Sequence, residues 1–355
     1  MDVKIFKASE VLDNPDRKVM SPENRYWHCM TAVDEFVIIY GGCSLNEQIF
    51  AELWIYDCIN QKWRLFKLPN QLRRTLRNSS ICAYGSKIYI FGIPDVSESY
   101  DIDATLFSFD VRSLTWMDLF HESNKKGDRP PRMNTSSIMF GNDSIFILGT
   151  DLYDVSVMYT FSLQAFRIYV VEPVRGFPHP NFDGHYTLYK NKIYYFGKLC
   201  YGPAQFSQVR VFDLSTYIWE WRKTQNKIYP ENRSDHAFIF NANCGYLIGG
   251  TLSSNFHESS GGYVMSNYSI DKPLPLERGE LWKVDLDTLE WTKLKTLDTR
   301  RYHLQACIVN NCYLYFFGGF ESGGQVGLKR IVIGVPSLKF RSGETFSTAK
   351  DESNT

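Results

Sequence analysis

No stretch of this sequence stays apolar for the roughly 18–20 residues a membrane-spanning helix requires. The opening residues, MDVKIFKASE, hold no apolar signal-peptide core. The chain is therefore expected to be soluble and intracellular, in the cytoplasm, the nucleus or both. An excess of charge is also missing. The 39 Lys+Arg balance 39 Asp+Glu, leaving no global field to draw nucleic acid or an anionic membrane. None of the eight cysteines forms the Cys-x-x-Cys pair a zinc site would need, and Cys29, Cys82 and Cys307 sit in apolar runs as small hydrophobes. G-x-S-x-G, H-E-x-x-H, the P-loop and G-x-G-x-x-G are all absent. No catalytic residue, cofactor or metal site is expected, and the chain does not read as an enzyme.

What is present is aromatic and repetitive. Phe, Trp and Tyr make up 15% of 355 residues, and Val, Ile, Tyr, Phe and Thr dominate the apolar segments, which favours strands. Residues 23–42, ENRYWHCMTAVDEFVIIYGG, return at 231–250 as ENRSDHAFIFNANCGYLIGG. Both keep Glu-Asn-Arg, a His three places after the Arg, and a closing Gly-Gly. Glycines end β-rich runs at Gly41-Gly42, Gly92, Gly149, Gly197, Gly249-Gly250 and Gly318-Gly319. An aromatic strand ending in Asp, with Trp six residues on, follows as Asp57/Trp63, Asp110/Trp116, Asp213/Trp219 and Asp285/Trp291. The third unit is degenerate (MYTFSLQAF), and the sixth lacks the pair.

A unit of ~50 residues with four short strands and a double glycine resembles the kelch repeat, one blade of a β-propeller. The expected fold is all-β, a single six-bladed kelch propeller over 1–338. Its blades span about 22–68, 73–120, 130–172, 178–224, 230–296 and 299–335, with 339–355 as a tail, a short helix or disordered. Unit six shows no fourth strand, while VKIFKA at 3–8 belongs to no repeat. Because open strand edges are generally avoided, residues 3–8 are expected to close the ring as the fourth strand of blade six.

The Arg-x-x-His phrase precedes each inner strand and so lies on one face, at the channel mouth. Its register runs Arg25, Leu76, Arg132, Phe182, Arg233, Arg300 for the arginine, and His28, Ser79, Thr135, His185, His236, His303 for the histidine. A histidine recurring by register reads as a blade element rather than a metal ring. The arginines Arg25, Arg132, Arg233 and Arg300, with Arg301 beside them, are the candidate partner-binding group, because guanidinium forks suit carboxylates. Residues 251–280 form a long loop over the same face, either a cap or a tolerated insertion.

The blade order, the ELW of blades one and five, and the ending GLKRIVIGVPSL resemble the kelch-repeat substrate receptors of cullin-2 ubiquitin ligases. That resemblance implies a protein-interaction module presenting client peptides, with elongin C and cullin-2 as partners. It also implies an elongin-type box, for which Leu338, Ser342 and Phe346 have the spacing, and recognition of a client's carboxyl-terminal carboxylate. The alternative is a kelch scaffold that binds a protein without ubiquitin machinery.

Overall fold

The structure is a computed structural model. It describes residues 5–11, 21–44, 46, 48–69, 76–94, 104–128, 133, 135–151, 153, 155–174, 184–197, 205–252, 279–297, 301–321 and 327–334. The described chain forms six antiparallel blades in a β-propeller. Blade one contains Cys29–Val33, Phe36–Tyr40, Glu52–Asp57 and Lys62–Lys67, from the channel outward. Blade two contains Leu76–Tyr84, Lys87–Pro94, Thr105–Asp110 and Thr115–Asp118; blade three Thr135–Gly141, Ser144–Thr150, Ser156–Ser162 and Arg167–Val170. Blade four contains His185–Tyr189, Lys192–Phe196, Gln208–Asp213 and Ile218–Lys223; blade five Ala237–Asn241, Cys244–Ile248, Glu280–Asp285 and Trp291–Thr296. Blade six has three strands among the described residues, Gln305–Val309, Tyr313–Phe317 and Lys329–Val332. No helix among the described residues is long and apolar enough to cross a membrane.

Local chemistry sets both hairpins of a blade. The first turn needs left-handed backbone, and Asn142-Asp143, Lys190-Asn191 and Asn310-Asn311 take positive φ there, as primed two-residue turns require. In the second, the Asp ending the third strand folds the chain back. Asp57 accepts from the Ile59 and Asn60 amides, Asp110 from Arg112 and Ser113, Asp285 from Asp287 and Thr288. Four residues past each Asp, Gln61, Leu114, Tyr217 and Leu289 are left-handed. Degenerate blade three keeps this turn with Ser162, whose hydroxyl accepts from the Ala165 amide, and with Phe166 at positive φ.

The core is six apolar wedges, each between two consecutive blades. The second strand of a blade is walled on both sides, and Tyr313–Phe317 is wholly buried. The residue six past the Asp position points toward the preceding blade. Trp63 packs on blade six, Trp116 on blade one, Ile168 on blade two, Trp219 on blade three and Trp291 on blade four. Trp116 and Trp291 are fully enclosed, and indoles supply large apolar area.

The amino-terminal strand does not complete blade six. Ile5–Lys7 pairs with Thr115–Met117 as a fifth strand on blade two, and Ser9–Val11 pairs with Leu65–Lys67 as a fifth strand on blade one. The short pattern of residues 3–8 suits any outer edge, and Phe6 is drawn to the wedge between blades one and two. The ring instead closes by side-chain packing of blade six on blade one, with Cys307, Tyr315 and Phe317 against Met30, Ile39 and Trp54. A six-residue helix, Leu119–Asn124, follows blade two and was not anticipated. Asp118 caps it by accepting from the His121 amide, while Leu119 and Phe120 turn inward.

Candidate functional site

At the channel rim the two copies of ENR-x-x-H…GG build the same hydrogen-bonded unit. Arg25 Nε donates to the Glu23 carbonyl (3.1 Å), Nη1 to the Gly41 carbonyl (3.0 Å) and Nη2 to Glu52 Oε1 (2.9 Å). Arg233 repeats this with the Glu231 carbonyl (3.1 Å), the Gly249 carbonyl (3.4 Å) and Glu280 Oε2 (2.9 Å). The recurring ELW tripeptide is the other half of the unit. Its Glu receives the arginine, and its Trp Nε1 donates to the same carboxylate, at 2.7 Å in Trp54 and 3.1 Å in Trp282. Burial pushes the Glu280 carboxyl up, but hydrogen bonds from Lys293, Arg233 and Trp282 outweigh it and hold it at about 2. Phe50 lies under the Arg25 guanidinium at 4.1 Å.

The glycine pair explains the rest of the phrase. Gly42 and Gly250 sit at φ +91° and +92°, and a Cβ there would come within 2.8–2.9 Å of the Cβ of His28 and His236. The same pairs clasp the next blade. The Gly250 amide donates to the Arg301 carbonyl (2.8 Å), and the Gly319 amide to the Arg25 carbonyl (3.0 Å). The junction from six to one is therefore made as the junction from five to six is.

This geometry shifts the register in blade six by one residue. Arg301, not Arg300, stands with Arg25 and Arg233, since each precedes by two places a left-handed residue: Trp27, Asp235 and His303. Leu304 then occupies the histidine position, and the position of Glu52 and Glu280 falls to Gly327, whose carbonyl accepts from Arg301 Nη1 at 3.1 Å. The sequence placed Arg300 in register because His303 stands three places after it, as His28 stands after Arg25. Arg300 and Arg132 lie outside the described residues, as do Leu338, Ser342 and Phe346.

Arg25 and Arg233 are each 1% exposed, and Arg301 is 2% exposed. The two paired guanidiniums are engaged within their own blades, so an incoming carboxylate would have to displace Glu52 or Glu280 to reach them. Open anion receptors they are not. His28 and His236 are also buried, and His185 is half-buried. Burial, then Arg25, pushes His28 down to about 3; burial pushes His185 down to about 4; and burial, with His185 and Arg233, drives His236 well below the usual imidazole range. His185 and His236 pack ring to ring at 4.9 Å, with Phe206 and Phe238 around them. No three His, Cys, Asp or Glu side chains among the described residues are grouped to hold a metal.

Solvent meets a different set of groups, which the sequence reading missed. Trp27, 43% exposed, stands on the rim beside Tyr26 and His303. Phe320 lies against Tyr26 and stacks with Tyr302. His303 Nδ1 meets Asp235 Oδ1 at 3.0 Å across the junction of blades five and six, and burial lifts the Asp235 carboxyl to about 6. The signal available in the sequence was the residue two places after each rim arginine, which the strand-entry bend turns outward.

Comparison with known proteins agrees with this architecture. Residues 6–150 match the KLHDC2/KLHL20/DRC7 Kelch-repeats domain. Kelch domain-containing protein 10 of Xenopus tropicalis is 22% identical over 347 residues, spanning 90% of this chain and 77% of that protein. Its Homo sapiens counterpart is 23% identical over 349 residues, 89% of this chain and 72% of that protein. Kelch domain-containing protein 3 of Homo sapiens is 24% identical over 323 residues, 86% of this chain and 64% of that protein. The solved structure of YjhT superposes with a TM-score of 0.61 at 14% identity, covering 90% of this chain and 97% of that one, and shares the fold.

Proposed function

We propose that this kelch-repeat protein-interaction module, which resembles kelch domain-containing protein 10, is the client-recognition subunit of an elongin C/cullin-2-type ubiquitin ligase in the cytoplasm or nucleus. The observation carrying the reading is the way the last blade ends. In five blades the chain folds back through a left-handed residue: Gln61, Leu114, Phe166, Tyr217 or Leu289. The matching position after Val332 is Pro336, whose ring fixes φ near −65°. A proline there does not take the left-handed backbone that closes the hairpin in the other five blades. Leu338, Ser342 and Phe346 recur every four residues, the spacing of one helix face. Such a face suits an apolar groove on an elongin-C-like partner.

Clients would be held at the rim around Trp27 and the Asp235–His303 pair. A client's terminal carboxylate would be met on this side of the ring by Arg300, since Arg25 and Arg233 are occupied by their own carboxylates. Co-purification tests the ligase half: wild-type protein retains elongin C, and Phe346→Asp loses it. Failure of the wild type to retain elongin C would leave a binding scaffold. Equal affinity for free-acid and amidated client peptides would remove carboxylate recognition.

A further inference from the structure

Blade four departs from blades one and five at one slot of its third strand. Three places before the turn Asp, blades one and five carry Trp54 and Trp282; five places before it they carry Glu52 and Glu280. Each tryptophan lines the wedge with the preceding blade and donates Nε1 to that glutamate. In blade four the same places, counted from Asp213, hold Arg210 and Gln208. A cation has replaced the indole, and a neutral amide stands where the carboxylate was.

The strand register sets what surrounds Arg210. Tyr186, Tyr195, Arg210 and Trp221 stand opposite one another across the four strands, one row on one face of the blade. The next row on that face includes Ile193, Phe212 and Trp219, which belong to the wedge with blade three, so Arg210 faces that way. Its guanidinium lies over the Trp221 ring at 4.2 Å. Among the described residues it forms no ion pair and no hydrogen bond. Its Nε is sealed from solvent without a partner, while Nη1 and Nη2 are not sealed. Burial pushes its pKa down, opposed by the phenols of Tyr195 and Tyr186 and by no acid. Arg25, Arg233 and Arg301, by contrast, all donate to protein oxygens. A guanidinium carries five donors, and a half-buried one with none engaged calls for an acceptor from outside.

The flank around it is aromatic and open. Trp221 is 46% exposed. Further along the same flank Tyr217 is exposed, its ring 6.0 Å from Phe212, and its carbonyl accepts from the amide of exposed Val174 at 2.8 Å. We propose that this flank of blade four docks an extended segment of a protein partner, whose aspartate or glutamate side chain supplies the carboxylate that Gln208 lacks while an apolar neighbour packs on Trp221. The Nη1–Nη2 edge suits two carboxylate oxygens, and stacking on the indole holds its plane. One carboxylate balances one guanidinium, whereas a phosphoryl dianion would leave a surplus charge in a half-buried site. The site is separate from the rim and does not depend on the ligase reading.

Selection from a random peptide library displayed on phage tests this, with each peptide's carboxyl end fused to the coat protein so that no terminal carboxylate is on offer. Selection on the full-length wild type should enrich sequences with Asp or Glu beside an apolar residue. Made as amidated peptides, these should bind Arg210→Met about tenfold or more weakly than the wild type. Changing the peptide's Asp to Asn, or Glu to Gln, should cost a similar factor on the wild type and nothing further on Arg210→Met. Trp27→Ala should leave the affinity unchanged. Should Arg210→Met not fold, Arg210→Gln gives the same readings. Selection without acidic enrichment, equal affinity for the wild type and Arg210→Met, or losses that simply add when both sides are changed overturns the proposal. Peptides that respond to Trp27→Ala and not to Arg210→Met belong to the rim and overturn it as well, leaving the client reading in place.

Discussion

The rim of this propeller and its outer edge obey different rules. At the rim, blades one and five repeat the same bonding, arginine to a carboxylate and to a glycine carbonyl of its own blade. At the outer edge no such uniformity holds: blades one and two carry five strands, blades three to five carry four, and blade six has three among the described residues. Where the phrase is kept, in blades one, five and six, a rim position meets another blade, so one solution can be copied. Each outer edge meets whatever stretch of chain or solvent lies there, so each is solved separately. The wedges and the rim should therefore dominate stability, and edge strands should matter little.

Acidification should test the interior most severely. His28, His185 and His236 are held neutral below their ordinary value of 6.5. Their contribution is complete above pH 6.5 and is lost as pH falls toward 4 and 3, where the folded protein must bury imidazolium. Asp235, raised to about 6 by burial, works the other way and recovers stability below pH 6. It is one group against three. A net loss of several kcal/mol between pH 7 and pH 4 is expected, read by denaturant titration across that range. A flat profile would mean the inner ring is wet.

Next in size, Arg233→Ala empties a buried site and leaves the Gly249 carbonyl unmet, while Glu280 keeps Lys293 and Trp282; it should cost about 2–4 kcal/mol. Arg25→Ala should match it within about 1 kcal/mol, and a clear inequality in their melting curves would break the equivalence of the two rims. Gly250→Ala places a Cβ 2.7 Å from the Ser234 carbonyl oxygen and 2.9 Å from the His236 Cβ, at φ +92°. The expected loss is about 2–3 kcal/mol, seen as a lower denaturation midpoint. Smallest is Glu10→Ala. It removes a two-pronged bond to Arg64 (2.8 and 2.7 Å) on the exposed fifth strand of blade one, and should cost less than about 1 kcal/mol. A larger loss would show that the outer edge bears more of the fold than its variation suggests.

That contrast also decides how much the sequence could reveal. The six-bladed ring was legible because the Asp–Trp hairpin and the glycine pair are set by bonding within a blade and to an identical neighbour. The pairing of Ile5–Lys7 was not, since a three-residue strand with one inward aromatic, Phe6, carries no address for a particular edge. Arg25 and Arg233 were read as open to a partner, whereas each is taken by a carboxylate of its own blade. Their carboxylate partners Glu52 and Glu280 lie 27 and 47 residues downstream, and linear spacing does not announce a pairing that long loops can stretch. The Trp27 and Asp235–His303 patch was missed for a related reason. It recurs as a backbone conformation while its residues differ from blade to blade.

The clasp between the Gly319 amide and the Arg25 carbonyl has a topological meaning. No peptide bond joins the sixth blade to the first, yet the rim is bonded there as it is between the fifth and the sixth. The ring does not register which blade comes first along the chain, and a circular permutant opened between two other blades should assemble the same hoop.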